Sequence, residues 1–351
     1  MAEKIEDGFT KGHSLILKGF MIGMLLFHHV FYGDTIIEKG ISISFGRIET
    51  FANWVSYGRL CLSGFVFISA YGITQQLKAV KTTGEYIKVC RNRIIKISKA
   101  CLFVYFCAAF YRQFIIRLPI KEAYKGTDDI FRPIYMLFDA LGYADLFQTP
   151  LFNVTWWYFS YAILLICSVP AIYLLCQKIS FLAFPLALYL APGKMIGIAV
   201  LGVAFACDNT FFKIEDYIKK DKKNKWLMGI GCYALLYISY AIIAYKRDVS
   251  FVMDWIGAIY AIIVMLFISK IPIIAPVLKI IGKHSSTMFM IHTFIYLYYH
   301  GEFIYSFHKD YLIYIVLFVC SFTVAFLIDS FRRVWNYFFL KLRARFKEVR
   351  K

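Results

Sequence analysis

Long apolar runs separated by short polar blocks fill this chain almost from end to end. A bilayer core of about 30 Å takes roughly 20 apolar residues in a helix that rises about 1.5 Å per residue. On that rule the sequence predicts ten membrane spans, at 14–33, 54–77, 96–117, 154–176, 179–192, 194–208, 226–245, 251–270, 283–300 and 310–333. The fifth and sixth share one apolar stretch, divided only by Ala191-Pro192-Gly193-Lys194, which reads as a tight turn. The first run begins near Ser14 and continues without a small-residue cleavage site, so it predicts a retained span and no cleaved signal peptide.

Composition agrees with the pattern. Of 351 residues, 60% are hydrophobic types and only 18% are charged, too little charge to cover a water-soluble surface. Basic residues outnumber acidic ones 40 to 22, and they gather in blocks between the apolar runs. One block runs from Lys78 to Lys99, the next from Lys213 to Lys225, and the last from Arg332 to Lys351. Ten spans with a cytoplasmic N-terminus place all three blocks, and the C-terminus, on the cytoplasmic side, as the positive-inside bias requires. This blockwise placement argues against nucleic acid as a partner and for membrane lipids. The expected fold is an all-α polytopic bundle over 1–340 with a basic cytoplasmic tail at 341–351. The outward loop 118–153 is the longest, and reads either as an amphipathic element or as a plain connection. Nine cysteines without zinc-type spacing read as buried free thiols.

Ionisable residues inside apolar spans are costly and mark candidate function. Span one carries His28 and His29, which point about 100° apart, so only one of them addresses a given cavity. Lys18 lies eleven residues before His29 and shares its face, about 16 Å away along the axis. Either the two line a path through the bundle, or Lys18 snorkels and the histidines sit at an interface. Arg93 and Lys96 share a face at the start of span three, where they could grip an anion or simply set topology against lipid phosphates. Gly19 and Gly23, and the small residues of 65–72, suit close helix packing. Trp156 and Trp157 open span four as an aromatic belt would. Asp254 sits at a depth similar to His29, His292 lies about two turns into span nine, and Asp329 lies toward the inner end of span ten. No Walker loop, GxSxG elbow, HExxH or metal-ligand cluster is present, which gives phosphoryl, hydride and metallopeptidase chemistry no support and predicts no metal.

Five segments stand out in order: Leu17-Lys18-Gly19 with His29, Phe65 to Gly72, Arg93-Ile94-Ile95-Lys96, Trp156-Trp157-Tyr158, and Ile281-Gly282-Lys283-His284-Ser285 with Ile291-His292-Thr293. Together they resemble the membrane-bound acyltransferase-3 family, whose members O-acylate exopolysaccharides, O-antigens and other extracytoplasmic acceptors. Ala70 stands where the family usually has Gly, and Lys18 and Lys96 stand where Arg is common. Lysine keeps the charge but loses the bidentate fork.

The resemblance implies an acyl-CoA co-substrate, with acetyl-CoA expected, and selects His29 over His28 as the catalytic base. On the resemblance Lys18, Arg93 and Lys96 would hold the CoA phosphates, and Ser69, Tyr71, Trp156 and Trp157 would line the substrate cavity; His292 would line it too or serve as a packing histidine, and Asp254, on its depth alone, would orient His29. The acceptor would be a glycan or lipid-linked saccharide, and the location the cell membrane, the inner membrane in a bacterium. A secondary transporter with Lys18, His29 and His292 on a substrate or proton path is the rival, although no internal repeat accompanies it.

Overall fold

The structure, a computed structural model, describes residues 8–126, 128–190, 195–246 and 252–348. The expected turn at 191–194 lies outside the described residues. Of the described residues 83% are helical, and none lies in a strand. We label the principal helices α1 (Lys11–Phe31), α2 (Ile48–Leu77), α3 (Thr83–Phe110), α4 (Arg132–Ala140), α5 (Trp157–Ile179) and α6 (Ala183–Leu190). They continue as α7 (Ile196–Cys207), α8 (Thr210–Lys220), α9 (Lys222–Lys246), α10 (Met253–Lys270), α11 (Ile274–Thr293) and α12 (Asp310–Glu348).

Seven helical stretches are long and apolar enough to cross a membrane, and the pair α7–α8, bent by 65°, makes an eighth if it is one span. The ten separate spans expected are therefore not all present as full-length helices. The fourth and fifth fall in one stretch, Val154–Leu190, interrupted at Ser180, whose φ of 49° breaks the helix. Beyond that break the described part of α6 has 8 residues, and α7 has 12, about 18 Å of helix. The ninth begins earlier than expected, at Ile274. Its polar run Lys283, His284, Ser285, Ser286 and Thr287 keeps it outside the apolar set. The tail expected from 341 continues α12 without a break to Glu348.

The chain divides into two compact units. The first runs up to Ile95 and adds Tyr161–Ser285 and Phe307–Tyr314; the second holds Lys96–Ser160, Ser286–Ser306 and the chain from Ile315.

The first unit is organised around α2, and glycine lets its neighbours approach. A Cβ on Gly202 of α7 would stand 2.6 Å from the Phe67 carbonyl oxygen, and one on Gly257 of α10 would meet the Ser63 carbonyl. Gly64 of α2 admits the Met21 side chain of α1. The closest approach joins α1 to α11. A Cβ on Gly19 would run into the Leu278 carbonyl, and one on Gly282 into the Leu15 carbonyl. Lipid is as apolar as a leucine side chain, so such helices hold together by close van der Waals contact, which small residues permit.

Side chains then close the helix ends. Thr10 caps α1 by accepting the His13 amide at 3.3 Å, and His13 Nδ1 accepts the Thr10 amide at 3.1 Å. Lys78 at the end of α2 donates to the Ala206 carbonyl at 2.8 Å and to Asn209 Oδ1 at 2.6 Å. It thereby closes α7 at the bend, where Asn209 takes the left-handed conformation this residue tolerates. Ser180 donates to Asp208 and Phe181 packs edge-on to Phe205, so the break after α5 is fastened to the same bend. At the far end of the unit, Ser44 donates its amide and hydroxyl to Asp310, at 3.2 and 2.6 Å, at the start of α12.

The second unit has an aromatic core. Trp156, 1% exposed, packs between Tyr105, Phe152 and Phe294 at centroid distances of 6.2, 6.1 and 5.9 Å. The loop expected at 118–153 contributes α4, an amphipathic helix that buries Asp139 and Ala140 and exposes Ile134 and Leu137. Both α3 and α11 widen into π-helical turns at their C-terminal ends, Tyr111–Ile115 and Phe294–Tyr299, and Tyr111 Oη lies 2.8 Å from His300 Nε2 just beyond them.

The glycine contacts give a direct test. Gly19→Val and Gly282→Val force two backbones apart and are expected to lower the thermal unfolding midpoint in detergent, by at least the 1–3 kcal/mol typical of overpacking. Gly231→Ala, with nothing within 4 Å of an added Cβ, is the control and should unfold like the parent protein.

Candidate functional site

The expected site residues fall in both units, and each group has its own geometry. In the first unit α1 presents the two histidines. His28 is 7% exposed and its Nδ1 lies 2.7 Å from the Val55 carbonyl oxygen. A carbonyl only accepts, so Nδ1 carries the proton and, in the neutral ring, Nε2 keeps the lone pair. His29 is half-buried, with its ring tilted at 5.3 Å from that of His28. The helix geometry thus separates the pair as the sequence requires: His28 turns to the chain at Val55, and His29 points elsewhere. Lys18 is half-buried beside Gly19, so it flanks the place where α1 meets α11.

Asp254, in the first turn of α10, is 1% exposed. It packs on α7, where a Cβ on Gly197 would stand 2.9 Å from Oδ1, and Tyr161 lies within its electrostatic reach. Ser69 is half-buried on α2. Tyr71 belongs to a packed aromatic cluster with Phe9 at 5.7 Å and Phe211 at 5.4 Å, and its hydroxyl accepts from Gln75 at 3.2 Å.

Arg93 reaches from α3 to the end of α2. Its Nη2 donates to the Gly72 carbonyl at 2.7 Å, and its Nε donates to Gln76 Oε1 at 3.0 Å. Near the C-terminal end of a helix a cation opposes the negative end of the helix dipole. Part of the guanidinium is therefore engaged in joining α3 to α2. Lys96, three residues on, is exposed and belongs to the second unit.

In the second unit Trp156 Nε1 donates to the Met290 carbonyl of α11 at 3.0 Å. Asn153 donates to the same carbonyl at 3.3 Å and to Thr293 Oγ1 at 2.5 Å, while its Oδ1 accepts the amide and hydroxyl of Thr155. His292, fully buried, directs Nδ1 at the Phe289 carbonyl at 2.8 Å and stacks on Tyr296 at 6.1 Å. Trp157 is half-buried against Tyr158. Asp329 accepts from Thr287 at 2.8 Å and from Arg332 at 2.7 Å.

Sequence reasoning had not singled out Asn153, Tyr124 or the burial of Asp139, and it named Thr293 only as part of the fifth segment. Asn153 did carry a signal, because Asn-x-Thr ahead of an apolar run is a helix-start pattern. The partners of the other three lie too far along the chain for any local pattern to show.

Arg93→Lys replaces a two-pronged donor with one point charge, which cannot serve Gly72 and Gln76 together. We expect it to cost about 1 kcal/mol of stability, and Arg93→Ala about 2 kcal/mol, read as stepwise falls in the detergent unfolding midpoint. Equal midpoints for all three proteins would remove Arg93 as the tie between α2 and α3. Compared with models of protein families, with curated proteins and with solved structures, the chain matches none.

Proposed function

We propose that the protein is a membrane O-acyltransferase that moves an acyl group, acetyl in the simplest case, from acyl-CoA to a hydroxyl of a cell-surface or exported polysaccharide. One observation carries the reading: the five sequence segments behind the family resemblance meet one another in pairs. Gly19 of the first segment and Gly282 of the fifth lie at one backbone crossing. Gly72, closing the second, accepts from Arg93 of the third. Trp156 of the fourth binds Met290, one residue before the Ile291-His292-Thr293 part of the fifth. These contacts hold neighbouring segments in place, as a shared site requires.

In the proposed reaction His29 accepts the proton of the attacking hydroxyl as its oxygen bonds to the thioester carbonyl carbon. The carbon–sulfur bond then breaks, and CoA leaves as a thiolate that takes the proton from His29. Lys18 and Arg93, both of the first unit, supply positive charge for the phosphates of the nucleotide. Asp254 supplies a buried carboxylate in the same unit as His29.

The topology proposed with it keeps both termini and the three basic blocks cytoplasmic. Helices α1, α2, α3, α5, α9, α10, α11 and α12 cross, whereas α6 and α7 form a short hairpin that enters and leaves on one side. This preserves the parity of ten spans. The fastening of Ser180 and Phe181 to Asp208 and Phe205 supports it, because the start and the end of the hairpin then lie together.

Mass spectrometry of surface glycan from cells carrying the parent protein, His29→Ala or His28→Ala is the test. O-acyl groups are expected to vanish with His29→Ala, at unchanged membrane levels of the protein, and to persist with His28→Ala. Full acylation in His29→Ala would sink the role of His29, and selective loss in His28→Ala would move the base to His28 Nε2.

A further inference from the structure

Outside the proposed reaction, one carboxyl group is buried completely among the described residues. Asp139, near the end of α4, is 0% exposed. Its Oδ2 accepts from Tyr124 Oη at 2.7 Å and from the Phe152 amide at 2.5 Å. Tyr124 Oη also lies 3.2 Å from Tyr105 Oη on α3. Through this one carboxyl the turn at Ile120–Tyr124, helix α4, the strand-like approach to α5 and helix α3 are all joined. Oδ1 has no hydrogen-bond partner among the described residues.

We propose that Asp139 is a proton-operated latch, which in its protonated form holds the Ile120–Tyr124 and Arg132–Ala140 segments onto the second unit and in its ionised form loosens them.

The hydrogen-bond chain fits both states. Tyr124 has one hydroxyl proton and two oxygen neighbours. With Asp139 ionised, the chain runs from Tyr105 through Tyr124 to the carboxylate. With Asp139 protonated, the carboxyl donates to Tyr124, which donates onward to Tyr105. The proton can therefore come and go without stranding a hydroxyl. The two states differ at Oδ1, because a buried anionic oxygen without a donor is costly and a neutral carbonyl oxygen is much less so. Burial accordingly pushes the Asp139 carboxyl up from 3.8 to about 6, against the lowering effect of Tyr124 and the Phe152 amide. The same burial, with the neighbouring carboxyl, pushes the Tyr124 phenol well above its ordinary range, so the tyrosine stays protonated throughout. The other titratable groups that feel this carboxyl are Tyr105 and Cys101 of α3 and Tyr298 beyond α11. None of these is cationic. Arg132, on the same helix as Asp139, pairs with Asp129.

The sign follows from linkage. In an opened segment Asp139 titrates near 3.8, whereas the closed one holds its proton to about 6. Below pH ~4 both forms are protonated and the closed form has its full stability. As pH rises through 6 that advantage is lost, so the open-to-closed ratio grows by about a hundredfold and then levels off.

Hydrogen exchange of the full-length protein in lipid nanodiscs between pH 4 and 8, corrected for intrinsic rates, tests this over peptides from 120–126 and 132–153. Protection is expected to fall across pH 4–6, by up to about a hundredfold, and Asp139→Asn should flatten that dependence. Difference infrared spectroscopy should show a protonated carboxyl band that titrates near pH 6 and is missing in Asp139→Asn. If Asp139→Asn does not fold, Tyr124→Phe removes a donor to the ionised form, and the midpoint should move upward. Protection independent of pH, a slope retained in Asp139→Asn, or an unmoved midpoint in Tyr124→Phe would each overturn the latch.

Discussion

The backbones of α1 and α11 touch at Gly19 and Gly282, and the first unit depends on that contact. Each glycine faces a main-chain carbonyl of the other helix, so neither position can take even a methyl group without moving a helix. In lipid the helices gain little from hiding apolar surface, and attraction comes from atoms brought close. The contact also sets where Lys18 and Lys283 lie, because each is a direct neighbour of one of the two glycines. Around it, Gly64, Gly202 and Gly257 do the same for the helices packed on α2. Glycine thus decides the spacing, and the functional side chains inherit their positions from it.

A second constraint concerns the polar side chains that an apolar chain can hold. Several of them are spent on main-chain carbonyls. His28 goes to Val55, His292 to Phe289, Arg93 to Gly72, Lys78 to Ala206, and Trp156 with Asn153 to Met290. Three of these carbonyls lie where helical hydrogen bonding weakens: near the ends of α2 and α7, and next to the π-helical turn of α11. Where water is absent, a carbonyl without an amide partner and a polar side chain without a partner are each costly, and pairing them removes both costs. An ionisable residue in a span is thus not by itself a catalytic one. His28 and His292 show how such residues also serve as fasteners.

That distinction sharpens the proposed chemistry. Tyr71 and Trp156, expected to line a substrate cavity, are packed tightly in aromatic clusters and act first as structural members of the segments they mark. His29 is half-buried, and its ring lies 5.3 Å from that of His28, tilted by 54°. Asp139, outside this scheme, shows that the second unit has titratable chemistry of its own.

The sequence by itself determined the class of protein, most of its helices and the sides of α1 on which the two histidines lie. Those features depend on run length, charge placement and helical periodicity, all of which are local. It also carried the five ordered segments, though not the fact that they pair. Only the tertiary structure decided that the helix breaks at Ser180 and is fastened there to Asp208, since an apolar run looks the same whether its helix is continuous or broken. It alone gave Arg93 its place on the end of α2, and it alone buried Asp139 beneath Tyr124. These outcomes and the helix crossings rest on contacts between residues 13 to 259 positions apart, such as Asp139 with Phe152 and Gly19 with Leu278. No local pattern encodes a contact of that kind, because it forms only when the helices have packed.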